Sequence, residues 1–199
     1  MTVNSLFKIS ATIALVSISY FLGSVFLKGG FFYIFDAIWR LSIIFFVVVV
    51  AKFKPGISTQ QWFIVILLFC IELIVYAFLA PTMPLIRIAI SVVFAPILEE
   101  LLFRGWVINK IEGSNKEKIL YSSIFFGVYH LKNAYVLTLP ALIYQIGYAA
   151  VFVGPIFAWV RLRYNSIFAS IILHSGNNAV ADTITPKFFP LLVKRNIHF

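Results

Sequence analysis

Long apolar runs broken by short polar clusters set the pattern of this chain: Ser5 to Leu27, Phe31 to Ala51, Trp62 to Ala80, Leu85 to Ile111, a run after Ser114, Leu139 to Val160 and Ser166 to Thr185. Each is close to the roughly 20 residues that carry a helix across a bilayer. The breaks hold turn formers and basic residues, among them Lys28-Gly-Gly30, Lys52-Phe-Lys-Pro-Gly56 and the pair Pro81 and Pro84. Ser114-Asn-Lys-Glu117 has the spacing of a capping box that starts a helix. The pattern predicts an all-α polytopic membrane helical bundle of about seven, or eight, transmembrane helices, forming a single integral membrane domain over 1–199. The stretch from Pro186 to Phe199 is amphipathic and too short to span.

Composition strengthens that picture, with 62% hydrophobic residues, only 12% charged and a mean hydropathy of +1.00. No sizeable soluble domain fits beside so many spans. A formal charge of +9 would suit a nucleic-acid partner, but the 16 basic residues sit mostly in the short loops, where topology explains them better. A cytoplasmic N-terminus collects Lys8, Lys52, Lys54, Lys110, Lys116, Lys118, Arg161 and Arg163 on one side and leaves Lys28, Arg87 and Lys132 on the other. With seven spans the tail bearing Lys187, Lys194 and Arg195 then falls on the outer side, against the rule. The single cysteine, Cys70, rules out an intrachain disulfide and the usual cysteine zinc spacings. The first apolar run lacks a small-residue cleavage signature and reads as a retained helix.

Charges inside the apolar runs need a reason. Asp36 and Arg40, at i,i+4 spacing, read as a self-neutralising pair near one interface, and Glu72 stands without a basic neighbour in its own helix. The densest case is Ala95-Pro-Ile-Leu-Glu-Glu-Leu-Leu-Phe-Arg-Gly105. On a helix, Glu100 and Arg104 share a face, whereas Glu99 is turned about 100° away. Glu100 is therefore expected to be held by Arg104, leaving Glu99 less neutralised and available as a proton acceptor. Pro96 is expected to kink the helix just before the carboxylates.

Depth brings further residues to the same level. Counting inward from Lys110 to Glu99, from Lys118 to His130 and from Arg163 to His174 gives about 16 to 18 Å on each of three helices, roughly mid-bilayer. Asn178 lies one turn beyond His174 on its face, whereas Ser175 faces elsewhere and His198 lies in the tail. Proton movement, metal binding and hydrolysis all use glutamate and histidine. Hydrolysis needs a base for water and donors for the developing oxyanion. Glu99 with His130 suits the first need, and His174 with Asn178 the second. No serine or cysteine nucleophile stands beside a base, and the H-E-x-x-H zinc helix is absent from the sequence. A proton-coupled transporter would use the same residues as a relay, but the two halves show no paired interrupted helices.

Glu99-Glu100-x-x-x-Arg104 with Gly105, then Phe126-x-x-x-His130, then His174-x-x-x-Asn178 resembles, over about residues 85–182, the three motifs of the CPBP family. These are the CAAX-protease and bacteriocin-processing (Abi) membrane proteins related to the type II CAAX prenyl endopeptidase. The resemblance implies an intramembrane endopeptidase that hydrolyses a peptide bond of a membrane-associated or prenylated peptide or protein. By position it implies Glu99 as the catalytic base, His130 as the residue that positions water, His174 and Asn178 as the oxyanion site, and Glu100 and Arg104 as their support. It allows a metal-free mechanism that requires no cofactor, or a divalent metal such as zinc on Glu99, His130 and His174. It also implies a multi-pass protein of a bacterial cell membrane, with the bilayer and a peptide substrate as partners. A non-catalytic role in bacteriocin self-immunity or membrane regulation is the alternative the same family offers.

Overall fold

A computed structural model describes residues 3–27, 30–47 and 89–188, with residues 63, 67 and 70 between them. Every described element is helical. Helix α1 is Val3–Phe26 and α2 is Gly30–Phe45. Helix α3 is composite: a π-helical turn Ala89–Phe94, an α segment Ala95–Glu100, a second π-helical stretch Leu101–Val107 and a last α turn Ile108–Lys110. Helix α4, Asn115–Tyr129, tightens into a 3-10 turn over His130–Tyr135. Helix α5 joins Leu139–Tyr148, a π-helical Ala149–Val153 and Gly154–Tyr164, and α6 is Phe168–Phe188. The third predicted span with Glu72, apart from residues 63, 67 and 70, the loops holding Lys28, Lys52, Lys54, Pro81, Pro84 and Arg87, and the tail with Lys194, Arg195 and His198 lie outside the described residues.

Local chemistry explains several boundaries. The predicted capping box forms at the start of α4: Ser114 is extended, its hydroxyl accepts from the Glu117 backbone N–H, and Glu117 Oε2 accepts from the Ser114 N–H at 2.7 Å. These hydrogen bonds hold the exposed Glu117 carboxyl below its usual range. Helix α5 ends at Asn165, whose φ of 46° is left-handed and whose side-chain oxygen accepts from Arg161 Nη1 at 3.0 Å.

Pro96 does more than bend α3. Lacking an N–H, it cannot bond the carbonyl of Val92 in α register or that of Ser91 in π register. Helix α6 gives each of these carbonyls a side-chain donor: Ser175 Oγ donates to the Val92 carbonyl at 2.7 Å, and Asn178 Nδ2 donates to the Ser91 carbonyl at 2.9 Å. The backbone defect in one helix thereby becomes a clamp to another, a needed repair where water is scarce.

Helices α4 and α5 approach so closely that a Cβ on Gly127 would stand 2.6 Å from the Cβ of Ala150 and 2.9 Å from the carbonyl oxygen of Ile146. That approach brings Phe126 and Phe157 to a ring separation of 6.5 Å and closes the core around Leu98, Leu102, Phe103 and Tyr129.

The distribution of side chains is the reverse of a soluble domain. Phe7, Leu15, Phe26, Phe31, Ile34, Val151 and Phe152 are exposed, while Asp36, Arg40, Glu99, Glu100, Arg104, Lys132 and His174 are buried. Lipid, not water, suits such an exterior. Among the described residues, Ser5–Phe26 and Leu139–Tyr164 are the helices long and apolar enough to cross a membrane by length and composition. Helix α4 falls short of that test, since its first turn holds Lys116, Glu117 and Lys118 and it ends after 15 residues.

Candidate active site

The second glutamate of α3 is the structural one. Glu100 Oε1 lies 3.3 Å from Arg104 Nη1 and 2.9 Å from His174 Nδ1, and both members of the i,i+4 pair are fully buried. Arg104 in turn donates from Nη2 to the Gly154 carbonyl of α5 at 3.1 Å and lies 4.2 Å over the ring of Phe126. One arginine thus ties α3 to α5 and caps the aromatic layer that surrounds the site. Glu100 Oε2 and Arg104 Nε are buried with no hydrogen-bond partner among the described residues.

Glu99 departs from expectation. It is not left without a counter-charge: Lys132 Nζ donates to Glu99 Oε1 at 3.1 Å, and the lysine is as buried as the carboxylate. The charge assigned from sequence to an outer loop is thus inside the protein. The signal was available, because Lys132 is two residues beyond His130 and so close to the depth deduced for that histidine. The other oxygen, Glu99 Oε2, lies 3.6 Å from His174 Nε2.

Both imidazoles are oriented through Nδ1. His130 Nδ1 is 2.8 Å from the Phe126 carbonyl, an acceptor only, so this nitrogen carries the proton and leaves Nε2 as an acceptor when the ring is neutral. His174 Nδ1 faces the Glu100 carboxylate in the same way, and its Nε2 is turned to Glu99. His130 is near enough to Glu99 for direct electrostatic interaction. Aromatic walls fix both rings, with Phe157 stacked on His174 at 5.0 Å and Phe126 edge-on to His130 at 4.9 Å.

Helices α3, α4 and α6 therefore bring together Glu99, Glu100, Arg104, His130 and His174. Asn178 is one helical turn away. Its side chain bonds the Ser91 carbonyl and accepts from Asn177 Nδ2 at 3.4 Å, with no hydrogen bond to the glutamates or imidazoles. Asn177, adjacent in sequence, accepts from Tyr148 Oη of α5 at 2.9 Å. The Ser175 hydroxyl is turned to the Val92 carbonyl, away from any role as nucleophile. Asp36 and Arg40 do pair, with Arg40 Nε 2.9 Å from Oδ2, and both are buried in the protein.

A metal would need Glu99, His130 and His174 to turn three donor atoms on one point. Among the described residues no three histidine, cysteine or carboxylate side chains are so arranged. A cation already occupies Glu99 Oε1, and a second, divalent one beside it would be repelled. These residues do not fit a metal, and no chemical step is routed through one.

What remains is a buried carboxylate with one oxygen anchored, facing two oriented imidazoles, a set able to hold and deprotonate water. No curated protein and no solved structure matches the chain at a significant level. The family model described as type II CAAX prenyl endopeptidase Rce1-like matches residues 80–180, which include every helix that supplies a glutamate or histidine to this cluster. With half of its length matched, the chain belongs to the type II CAAX prenyl endopeptidase Rce1-like family, a family of integral membrane proteases.

Proposed function

We propose that this protein is an intramembrane endopeptidase that cleaves a peptide bond in a prenylated or otherwise membrane-associated peptide, with Glu99 as the base that activates water. What carries the reading is the meeting of Glu99 Oε2 with His174 Nε2 at 3.6 Å, beside His130, at a buried point fed by three helices. That separation is too long for a direct hydrogen bond and leaves Glu99 Oε2 free to accept from a water.

In the proposed sequence, His130 Nε2 and Glu99 hold the water, and Glu99 takes its proton as the oxygen attacks the scissile carbonyl. The oxyanion forms near His174, whose ring is held by Glu100 at Nδ1. Asn178 has one N–H engaged by Ser91 and a second to offer from one turn further along α6. Glu99 then returns the proton to the leaving amine. The same arrangement restores the resting charge, with Glu99 against Lys132 and Glu100 against Arg104.

The decisive variant is Glu99→Gln, nearly unchanged in shape but without a basic oxygen. Cleavage of a farnesylated peptide reporter by the purified protein in detergent is expected to fall by at least about 10²- to 10⁴-fold with the fold retained. Turnover equal to the parent protein would refute the assignment. The Lys132 ion pair also suits a protein that docks or protects without cutting, as in bacteriocin self-immunity. Full biological complementation by Glu99→Gln would favour that second reading.

A further inference from the structure

Lys132 belongs to none of the three motifs, yet it makes the shortest charged contact to Glu99. Its ammonium sits 3.7 Å from the ring centroid of Tyr129, 5.3 Å from that of Tyr20 and 5.8 Å from that of Trp39. Tyr129 comes from α4, Tyr20 from α1 and Trp39 from α2, so the cage joins the first two helices to a helix of the matched region. Trp39 is itself fixed, donating from Nε1 to Ser19 Oγ at 3.0 Å and packing 4.7 Å from Tyr20. An ammonium has three N–H groups. One meets Glu99 Oε1 and the others face aromatic surfaces, which attract a desolvated cation without offering it a competing carboxylate.

The 3-10 turn at His130–Tyr135 places this lysine. Leu131 is half-exposed, Lys132 is 5% exposed, and Asn133 beyond it donates from Nδ2 to Gln145 Oε1 of α5 at 2.9 Å. The turn is thereby pinned on both sides of the ammonium. A carboxylate rotates about its last bond unless one oxygen is held. With Oε1 held by Lys132, Oε2 has one direction left, and that direction is His174 Nε2.

We propose that Lys132 is a positioning residue for the reaction: caged by Tyr129, Tyr20 and Trp39, it anchors one oxygen of Glu99 so that the other faces the imidazoles and the water between them. The inference rests on the proposed role of Glu99 as base. It adds that α1 and α2, outside the matched residues 80–180, complete the catalytic centre by holding the anchor in place.

The test uses the full-length protein in detergent and a quenched fluorescent farnesylated peptide ending in a Cys-aliphatic-aliphatic-X sequence. Lys132→Met, of similar length and without charge, is expected to lower kcat by about 10²-fold while KM changes by less than about threefold, since misplacing a reacting group by an ångström costs that order in rate. Lys132→Arg, which restores a charged donor in a poorer shape for the cage, is expected to recover about a tenth of the parent kcat. An unchanged kcat in Lys132→Met, or an equal loss in the Arg and Met forms, would overturn the inference while leaving Glu99 as base. A second measurement does not depend on cleavage. Thermal unfolding of the parent, Glu99→Gln, Lys132→Met and the double variant should show coupling, the double melting no lower than the worse single. Additive losses would overturn the anchor. An active Glu99→Gln form would instead overturn the base assignment, with the unfolding cycle still deciding whether Lys132 holds Glu99.

Discussion

Removing the Arg104 guanidinium leaves Glu100 as a buried carboxylate facing His174, and it also frees the Gly154 carbonyl. Breaking one side of such a pair costs about 3 to 5 kcal/mol. Arg104→Ala should therefore accumulate poorly in membranes and melt well below the parent, while Arg104→Lys should recover little because it lacks the planar fork that lies over Phe126. Normal abundance of Arg104→Ala on an immunoblot would contradict this. At the opposite extreme of burial, Glu117 offers a pH test. Its carboxyl is held below its ordinary value by the capping box, so its stabilising contribution is complete above the unfolded carboxyl's range and fades as pH falls through the lowered folded value. Glu117→Ala should thus lower the melting temperature at neutral pH, and that difference should shrink as pH falls through the lowered folded value. The Glu100 and Arg104 pair and this capping box were legible in the sequence because both are written at fixed local spacing. The contact of Lys132 with Glu99 spans 33 residues, and no local pattern encodes it.

Helix α3 was expected to bend at Pro96, and the consequence of the proline lies in the neighbouring helix. The Val92 and Ser91 carbonyls, either of which the N–H absent at Pro96 would serve, accept from Ser175 and Asn178, so Asn178 clamps α6 to α3 before it does anything else. Asn178→Ala should cost about 1 to 3 kcal/mol by orphaning the Ser91 carbonyl. In a Pro96→Ala background the restored N–H can serve one of these carbonyls, and the penalty for Asn178→Ala should shrink. Thermal unfolding of the four proteins checks this, and strictly additive penalties would count against the shared carbonyls. Depth counting from loop charges worked despite the π-helical stretches on either side of Glu99, because it needs only a rough rise per residue. The angular argument on the same helix was more exposed to error. It separated Glu99 from Glu100 by 100°, yet His174 is large enough to touch both, at 3.6 and 2.9 Å.

For the molecule as a whole, the sequence conveyed class and compartment clearly. A chain with 62% hydrophobic residues folds with its large apolar side chains outward and its charges inward, and every described element is helical. The charges inside balance in pairs: Glu99 with Lys132, Glu100 with Arg104, Asp36 with Arg40. Pairing of this kind suits a low-dielectric interior, where a lone charge is costly. Moving Lys132 from an outer loop to the interior also removes it from the tally of loop charges. The motifs reported on α3, α4 and α6 but were silent on α1 and α2, since aromatic residues in an apolar run look like ordinary packing.

Tyr20 and Trp39 give those first two helices a meaning that motif inventories miss. A fragment cut to residues 80–180 would keep each diagnostic glutamate, histidine and asparagine, and would still be recognised by its family signature. It would also lose two sides of the box around Lys132, letting lipid or water reach the ammonium and loosen its grip. Recognisability and competence are thus stored in different parts of this polypeptide, and a shortened homologue lacking such rings would carry the family badge without the working machinery.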